Sequence, residues 1–227
     1  MAIKVSEIFH SVQGEGQWAG TPSTFVRLSG CNLRCVWCDT PYASWNPEGE
    51  IMELDDIFAS AKHRHVVLTG GEPMLFTESV TLSERWRKDN RIITIETAGT
   101  IFQDVHCDLM SISPKLSNST PTSDAKWSKT HEERRWNPEV INKLTKNYPY
   151  QLKFVIGPEV TKDINEVEAL LSQLEDINPE QVFLMPEGRD SSSLWSRAKE
   201  LIPACMSHGW RIAPRLQIDL FGDTKGT

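Results

Sequence analysis

Hydrophobic residues occur along most of the chain as short runs separated by longer amphipathic stretches. The short runs are rich in Val, Ile, Leu and Phe and are mostly bounded by Gly, Pro, Asn or Asp, as is typical of β-strands. They predict strands at 24–28, 66–69, 92–95, 109–112, 152–156, 182–185 and 216–220. The amphipathic stretches predict helices at 54–61, 75–87, 138–146, 162–174 and 192–207.

Strands that alternate with helices favour an α/β fold with a parallel sheet. The pattern gives about six βα units, too few for a closed eight-fold barrel. We therefore predict a partial, abbreviated (β/α) barrel, with residues 1–227 forming a single domain. Thr161 is the candidate N-cap of the fourth predicted helix.

The polar segment 117–137 interrupts this alternation. It begins with Ser117-Asn118-Ser119-Thr120 and is rich in charged residues towards its end. Polar loops of this length inside a compact domain are commonly either functional or disordered. Two interpretations stay open here, a flap that covers or borders the active site and a mobile insertion.

The net charge and the hydropathy of the chain limit the kinds of partner that the protein can bind. The chain has 31 Asp and Glu residues against 24 Lys and Arg, a net charge of −7, which disfavours a broad contact with a nucleic-acid backbone. No apolar run approaches the ~20 residues of a membrane span, and the N-terminal residues lack the apolar core of a signal peptide. We expect a soluble, cytoplasmic protein that binds neither nucleic acid nor membrane.

Three of the five cysteines, Cys31, Cys35 and Cys38, form a Cys-x3-Cys-x2-Cys cluster. In a reducing cytosol such a cluster indicates metal ligation before disulfides. A structural zinc site usually needs four protein ligands, and no fourth Cys or His lies nearby in the sequence. Three thiolates suit a [4Fe–4S] cluster whose fourth iron stays free for an outside ligand. The alternatives are a zinc loop or three unrelated buried cysteines.

A second motif, Gly70-Gly71-Glu72-Pro73, ends the predicted strand at 66–69. The glycines allow backbone to approach a ligand closely, and the carboxylate can meet an ammonium group. Alone, the motif is also a common strand-to-helix turn. Together the two motifs resemble the radical S-adenosylmethionine (SAM) superfamily, in which SAM chelates the open iron of the cluster.

Within that superfamily the chain resembles the 7-carboxy-7-deazaguanine synthases of queuosine and 7-deazapurine biosynthesis. The resemblance is carried by 9–16 (Phe-His-Ser-Val-Gln-Gly-Glu-Gly), 25–28, 37–40, 95–100, 113–115 and 151–154. It implies a radical SAM lyase that rearranges 6-carboxy-5,6,7,8-tetrahydropterin to 7-carboxy-7-deazaguanine with loss of ammonia. It also implies a homodimer, with a flavodoxin or ferredoxin as reductant. Ala98 departs from the family, which often has Asn there, and this weakens inference at that position alone.

The resemblance further implies three cofactors, one [4Fe–4S] cluster, SAM and Mg²⁺. No side chain is implied as catalytic, because the adenosyl radical carries the chemistry. The implied substrate ligands are Val12, Gln13, Gly14, Arg27 and Thr69; the SAM ligands are Trp37, Cys38, Asp39, Gly71, Glu72, Ser113, Pro114, Lys115 and Gln151; the cluster ligands are Cys31, Cys35 and Cys38; and Thr40 ligates Mg²⁺.

Two other functions remain open on the sequence. A radical SAM activase of a glycyl-radical enzyme shares both motifs, but it would leave residues 13–16 and Arg27 unexplained. A non-catalytic iron–sulfur electron-transfer module would need a fourth protein ligand to the cluster. Individual residues also have plainer interpretations: Arg27 as a surface ion-pair partner, and Thr40 as the start of a turn before Pro41.

Overall fold

The structure, a computed structural model, describes residues 1–227, and its nine strands form one open sheet. The strand order is β3-β1-β2-β4-β5-β6-β7-β8-β9. All neighbours from β2 to β9 are parallel, whereas β1 is antiparallel to both β2 and β3. Because β3 and β9 remain as edges, the predicted partial barrel is confirmed. The strands are β1 (Ala2–Val12), β2 (Pro22–Leu28), β3 (Glu50–Glu53), β4 (His65–Gly70), β5 (Ile92–Thr97), β6 (Leu109–Ile112), β7 (Tyr150–Ile156), β8 (Val182–Pro186) and β9 (Arg211–Ile212).

Eight α-helices connect or follow these strands, and five of them match the predicted helices. They are α1 (Pro41–Ser44), α2 (Leu54–Ala59), α3 (Glu78–Lys88), α4 (Ala125–Arg134), α5 (Pro138–Asn147), α6 (Val160–Leu171), α7 (Ser191–His208) and α8 (Leu216–Phe221). The predicted cap is wrong, because α6 begins at Val160 and its N-cap residue is Glu159, without a side-chain cap. None of the helices combines the length and apolarity that crossing a bilayer would require.

Alternate residues of the parallel strands pack on opposite faces of the sheet. On β7, Leu152, Phe154 and Ile156 are fully buried in the main hydrophobic core, which also contains Trp86 of α3. Each such side chain contributes ~1.5–3 kcal/mol when it leaves water. Since one face is occupied by this core, the residues between these positions must face the other way.

The sequence does not predict strands β1, β3 and β9 or the short helix α1, and two further segments differ from the prediction. The predicted strand at 216–220 is helix α8, because apolar residues at 216 and 220 also have the i, i+4 spacing of a helix. The polar segment 117–137 is not a loop throughout: it contains a 3-10 turn at Ser117–Ser119, and most of its second half is helix α4. Asp124 caps α4 by accepting the amide hydrogens of Lys126 and Trp127.

Candidate active site

The strand residues that do not face the main core place polar side chains on the opposite face of the sheet. Ser111 of β6 and Lys153 of β7 lie between residues of the main core, and Thr69 of β4 and Glu96 of β5 directly follow the core residues Leu68 and Ile95. Together with Arg27 of β2, they line a cavity of about 220 Å³. A charged side chain inside an apolar strand is costly unless it is paired, so these residues point to a functional site.

Most of the predicted site residues line this one cavity. The exceptions are Glu72, Pro114 and Gln151. Residues that sequence reasoning did not select also line it, including Glu15, Glu96, Lys153 and Gln217. The predicted residues in the lining are Val12, Gln13, Gly14, Arg27, Cys31, Cys35, Trp37, Cys38, Asp39, Thr40, Thr69, Gly71, Ser113 and Lys115.

The three clustered cysteines are free thiols that all line the cavity. The amide of Leu33 donates to Cys31 Sγ at 3.4 Å, a type of contact that tunes cluster-bound sulfur. Burial raises the pKa of Cys31 to about 11 and that of Cys35 to about 12, so a bound metal must displace their protons. Cys107 and Cys205 pack in or against the main core instead. This donor set, three thiols with no fourth cysteine in the lining, fits a [4Fe–4S] cluster with one open iron.

The glycine motif passes directly against the cysteine loop, residues 31–38. The amide of Glu72 donates to the Gly30 carbonyl at 2.8 Å. A Cβ atom on Gly71 would lie 2.7 Å from Cβ of Cys31, closer than real Cβ contacts allow. Glycine at position 71 is therefore required by the close approach of the two motifs.

The carboxylate of Glu72, a predicted SAM ligand, lies outside the cavity lining. Its carboxylate is fully buried and accepts hydrogen bonds from the Met74 amide at 3.0 Å, the Thr97 hydroxyl at 2.8 Å and the Ala98 amide at 2.7 Å. Burial raises the pKa of this carboxyl, and the hydrogen bonds oppose that shift. Glu72 therefore holds the ends of β4 and β5 together and does not face the ligand space.

Gln151 and Pro114 likewise support the lining without forming it. The Gln151 side chain donates to Ser111 Oγ at 2.8 Å and accepts the Gln17 amide at 2.9 Å. It thus connects the loop after β1 to the sheet and lies outside the cavity lining, and its contact with SAM stays a prediction. Pro114 is buried between Ser113 and Lys115, which do line the cavity.

A buried ionic network forms one wall of the cavity. Glu15 is bonded to Lys153, to Arg215 Nε at 3.3 Å and to Gln217 Nε2 at 2.9 Å, and Arg215 Nη2 also donates to Asp39 at 2.7 Å. Burial alone would raise the pKa of Glu15, but the cations of Lys153 and Arg215 lower it to about 2. The carboxylate is therefore ionised at all ordinary pH values. In the sequence, Lys153 inside an apolar strand is the signal that could have located this network.

Arg27 is anchored along one edge only. Its Nε donates to Glu7 Oε1 at 2.7 Å, and the Tyr42 hydroxyl donates to the same oxygen at 2.8 Å. The guanidinium lies 5.6 Å from the centre of the Phe9 ring. Its two terminal nitrogens make no hydrogen bond within the chain, so this edge of the guanidinium can bind a carboxylate in a bidentate manner.

Lys115 is a second cation of the lining and, unlike Arg27, has no carboxylate partner. Its ammonium donates to the backbone and side-chain oxygens of Ser113, at 2.7 and 2.9 Å, and lies 5.7 Å from the centre of the Trp37 ring. Trp37 packs against the small apolar cluster that includes Val155 and Met185, which also line the cavity. A cation beside an apolar wall can bind a ligand that has an anionic group and a flat ring.

Thr40 and Asp39 follow the cysteine loop and offer oxygen atoms to the same cavity. The Thr40 hydroxyl has only a 3.9 Å contact with Cys38 Sγ, so it is available to a further ligand. Mg²⁺ prefers oxygen ligands and usually keeps several waters, so one hydroxyl with substrate and water oxygens fits this ion.

Comparisons with known proteins agree with this geometry. Residues 25–146 match the family described as the Radical SAM superfamily. The chain is 43% identical to the 7-carboxy-7-deazaguanine synthase of Halobacterium salinarum, over all of this chain and 93% of that protein. It is 42% identical to the protein of the same name from Rhodopirellula baltica, over all of this chain and 89% of that protein.

A solved structure shares the fold. The crystal structure of QueE from Escherichia coli superposes with a TM-score of 0.69 at 24% sequence identity, covering 94% of this chain and 93% of that chain. At that level of identity the likeness shows a shared fold and nothing further.

Proposed function

Because the chain belongs to the radical SAM superfamily and, within it, to the 7-carboxy-7-deazaguanine synthases, we propose that it converts 6-carboxy-5,6,7,8-tetrahydropterin to 7-carboxy-7-deazaguanine with loss of ammonia. The enzyme is a radical SAM lyase of queuosine and 7-deazapurine biosynthesis. One observation carries the assignment: a single cavity contains three thiols suited to a cluster and an Arg27 guanidinium edge suited to a carboxylate. The comparisons lend no support to an activase or an electron-transfer module.

The cofactors take separate parts of the lining. Cys31, Cys35 and Cys38 would hold the [4Fe–4S] cluster, and the chemistry that it would supply in its reduced form is the reductive cleavage of SAM. Within the chain, Lys115 has no carboxylate partner and meets the carboxylate of SAM. Trp37, Asp39, Gly71 and Ser113 complete the SAM pocket, with Trp37 providing its apolar wall.

The substrate binds on the side of the cavity nearest the antiparallel strands β1 and β2. Arg27 binds its carboxylate through the free edge of the guanidinium, while Glu7 keeps the other edge fixed. Gln13 donates from Nε2 to Glu96 at 3.1 Å, which orients its side chain towards the ring edge of the pterin. Val12, Gly14 and Thr69 provide contact surface, and a Cβ atom on Gly14 would overlap the Gln217 side chain.

Thr40 would hold Mg²⁺ through its hydroxyl, and substrate and water oxygens would complete the ligand set. This placement is supported by the free hydroxyl and by the neighbouring carboxylate of Asp39. The ion would offset negative charge on the substrate next to the cluster. Its chemistry is that of a Lewis acid and a template, which requires no redox change.

We also propose a homodimer of single-domain, cytoplasmic chains that receive electrons from a flavodoxin or ferredoxin. One sheet extends through the chain from β1 to β9, which supports a single domain. Trp195, Ile202 and Met206 are exposed on α7, and their spacing puts them on one side of that helix. An exposed apolar stripe of this kind fits a second copy of the chain, and light scattering of wild type and Trp195→Glu tests it.

The decisive experiment is anaerobic incubation of the reconstituted enzyme with SAM, dithionite, Mg²⁺ and the carboxypterin. We expect 7-carboxy-7-deazaguanine, with SAM regenerated at each turnover. Absence of the product while the cluster responds to SAM in EPR would overturn the substrate. An EPR spectrum that SAM leaves unchanged would instead overturn the radical SAM assignment and favour an electron-transfer module.

A further inference from the structure

The segment 117–137 accepts backbone hydrogen bonds from the middle of the cysteine loop. The amide of Arg34 donates to His131 Nδ1 at 3.1 Å, and the amide of Val36 donates to the Ser119 carbonyl at 2.9 Å. These two amides lie on either side of Cys35. The segment is therefore in direct contact with the backbone that presents the central cysteine.

The hydrogen bonds of His131 determine its tautomer. A backbone N–H can only donate, so Nδ1 must accept, and the ring proton is on Nε2. Nε2 then donates to Ser119 Oγ, 2.9 Å away, and that hydroxyl donates to the Leu116 carbonyl at 2.6 Å. Burial lowers the pKa of His131 to about 4, which agrees with a neutral ring. His131 and Ser119 are fully buried, so neither bond competes with water.

Arg34 adds a second connection between the loop and the segment. Its guanidinium lies 4.1 Å from the centre of the Trp127 ring of α4. It also donates to the carbonyls of Cys31 at 2.9 Å and Leu33 at 2.7 Å. The turn between the first two cysteines is thus closed on itself and held against α4.

From these contacts we infer that His131 is a positioning residue for the iron–sulfur cluster: its neutral ring holds the Arg34 amide and fixes the backbone between Cys31 and Cys35 before the cluster binds. The inference rests on the proposed function, because it takes the three cysteines as cluster ligands. Ordering a flexible residue costs about 1–2 kcal/mol of conformational entropy. A loop that is ordered in advance does not lose that free energy when the cluster assembles.

The test compares three substitutions at position 131 with Lys129→Ala, an exposed residue of the same helix. In His131→Asn, Oδ1 can take the place of Nδ1 and still accept the Arg34 amide. His131→Gln can reach Ser119 but offers no acceptor at the Nδ1 position, and His131→Ala offers neither. The reconstituted enzymes are challenged with an iron chelator, and the rate of cluster loss is measured. Amide hydrogen exchange at residue 34 is measured in the full-length chain before reconstitution.

We expect His131→Ala and His131→Gln to lose the cluster roughly tenfold faster than Lys129→Ala, the effect of one lost buried hydrogen bond. His131→Asn should stay near the control, and amide exchange at residue 34 should accelerate in Ala and Gln only. If all three variants behave alike, or if His131→Ala matches Lys129→Ala, the inference is overturned. If His131→Ala does not fold, the comparison of His131→Asn with His131→Gln still tests the inference. A wild-type chain that takes up no iron and sulfide would overturn the proposed function itself.

Discussion

The cysteine wall and the ionic wall of the cavity are fixed in different ways. The cysteine wall, residues 31–38 with Gly71, is held by backbone hydrogen bonds and close backbone contact. Burial raises the pKa of two of its thiols, Cys31 and Cys35, so both are neutral without metal. The ionic wall, the network around Glu15 and the Arg27–Glu7 pair, is made of charged side chains that already satisfy one another.

This difference determines what a ligand contributes to each wall. The cysteine wall gains its charged ligands only when a cluster displaces the thiol protons, so metal binding and local structure are coupled. The ionic wall is charged without ligand and depends on the pairing of buried charges, and only the terminal nitrogens of Arg27 stay free for a ligand. Substitutions in the first wall should therefore change cluster content, whereas those in the second should change stability or substrate affinity with the cluster intact.

The largest expected effect comes from removing a cluster ligand. Cys35→Ala should abolish the cluster and all turnover, because each thiolate holds one iron. Cys31→Ala and Cys38→Ala should do the same. Iron and sulfide per chain, measured after anaerobic reconstitution, check this. Cys107→Ala and Cys205→Ala are the controls and should keep iron near the wild-type level, since neither lines the cavity. Complete cluster loss in Cys107→Ala would contradict the three-ligand site.

A substitution in the ionic wall should lower the free energy of unfolding. Glu15→Gln leaves Lys153 and Arg215 without their shared carboxylate, and removing one partner of a buried ion pair costs about 3–5 kcal/mol of unfolding free energy. The folded pKa of Glu15 is about 2, below the ordinary value of 4.5. Its stabilisation is therefore complete above that ordinary value and is lost as pH falls towards 2.

Urea unfolding of wild type and Glu15→Gln across this pH range measures the difference. The gap between the two proteins should be full at neutral pH and should shrink below pH 4.5. The matched control is Glu159→Gln, which removes an exposed carboxylate paired with Lys162 and should cost no more than about 1 kcal/mol. A gap that does not change with pH would mean that the Glu15 charge is not what stabilises the wall.

The two walls also differ in how far the sequence predicts them. The cysteine wall is local: the cysteine spacing and the Gly70-Gly71 turn are contiguous motifs, and both line the cavity. The ionic wall joins residues far apart in the chain, such as Glu15 and Arg215, and no short pattern connects them. The parallel strands β2 and β4 to β8 were predictable because their residues form short apolar runs, whereas the two-residue strand β9 is too short to form one. Strand β1 was not, because a β-bulge between Val5 and Glu7 breaks its alternation.

The segment 117–137 could not be assigned for a related reason. Its sequence is polar overall, and polar segments are usually solvated. Its buried polar residues, Ser119 and His131, satisfy their polar atoms through each other and through backbone groups of Leu116 and the cysteine loop, which tertiary structure alone brings together. Similarly, the alternation of apolar and polar residues in 216–220 is compatible with both a strand and a helix. In the structure the segment is helix α8, with Ile218 buried.

A smaller effect is expected when Arg27 loses its charge. Arg27→Met removes a charge-assisted bond to the substrate carboxylate, which typically costs ~2–3 kcal/mol, or about 30- to 150-fold in binding. The KM for the carboxypterin should rise accordingly, while cluster content and reductive cleavage of SAM stay unchanged. Arg85→Met is the matched control, because Arg85 also pairs with a carboxylate, Asp55, and lies over a Phe ring. Unchanged affinity in Arg27→Met would make Arg27 purely structural.

The smallest effect should come from Thr40, where only one oxygen atom is removed. Thr40→Val keeps the shape of the side chain, and the lost hydroxyl has no strong partner in the chain, so folding and cluster assembly should be unaffected. Stimulation of turnover by added Mg²⁺ should largely disappear, because the ion loses its one protein ligand and keeps only substrate and water. The measurement is the initial rate as a function of Mg²⁺ concentration at saturating substrate. Thr145→Val on α5, remote from the cavity lining, is the control and should respond like wild type. If Thr40→Val also responds like wild type, the metal binds elsewhere.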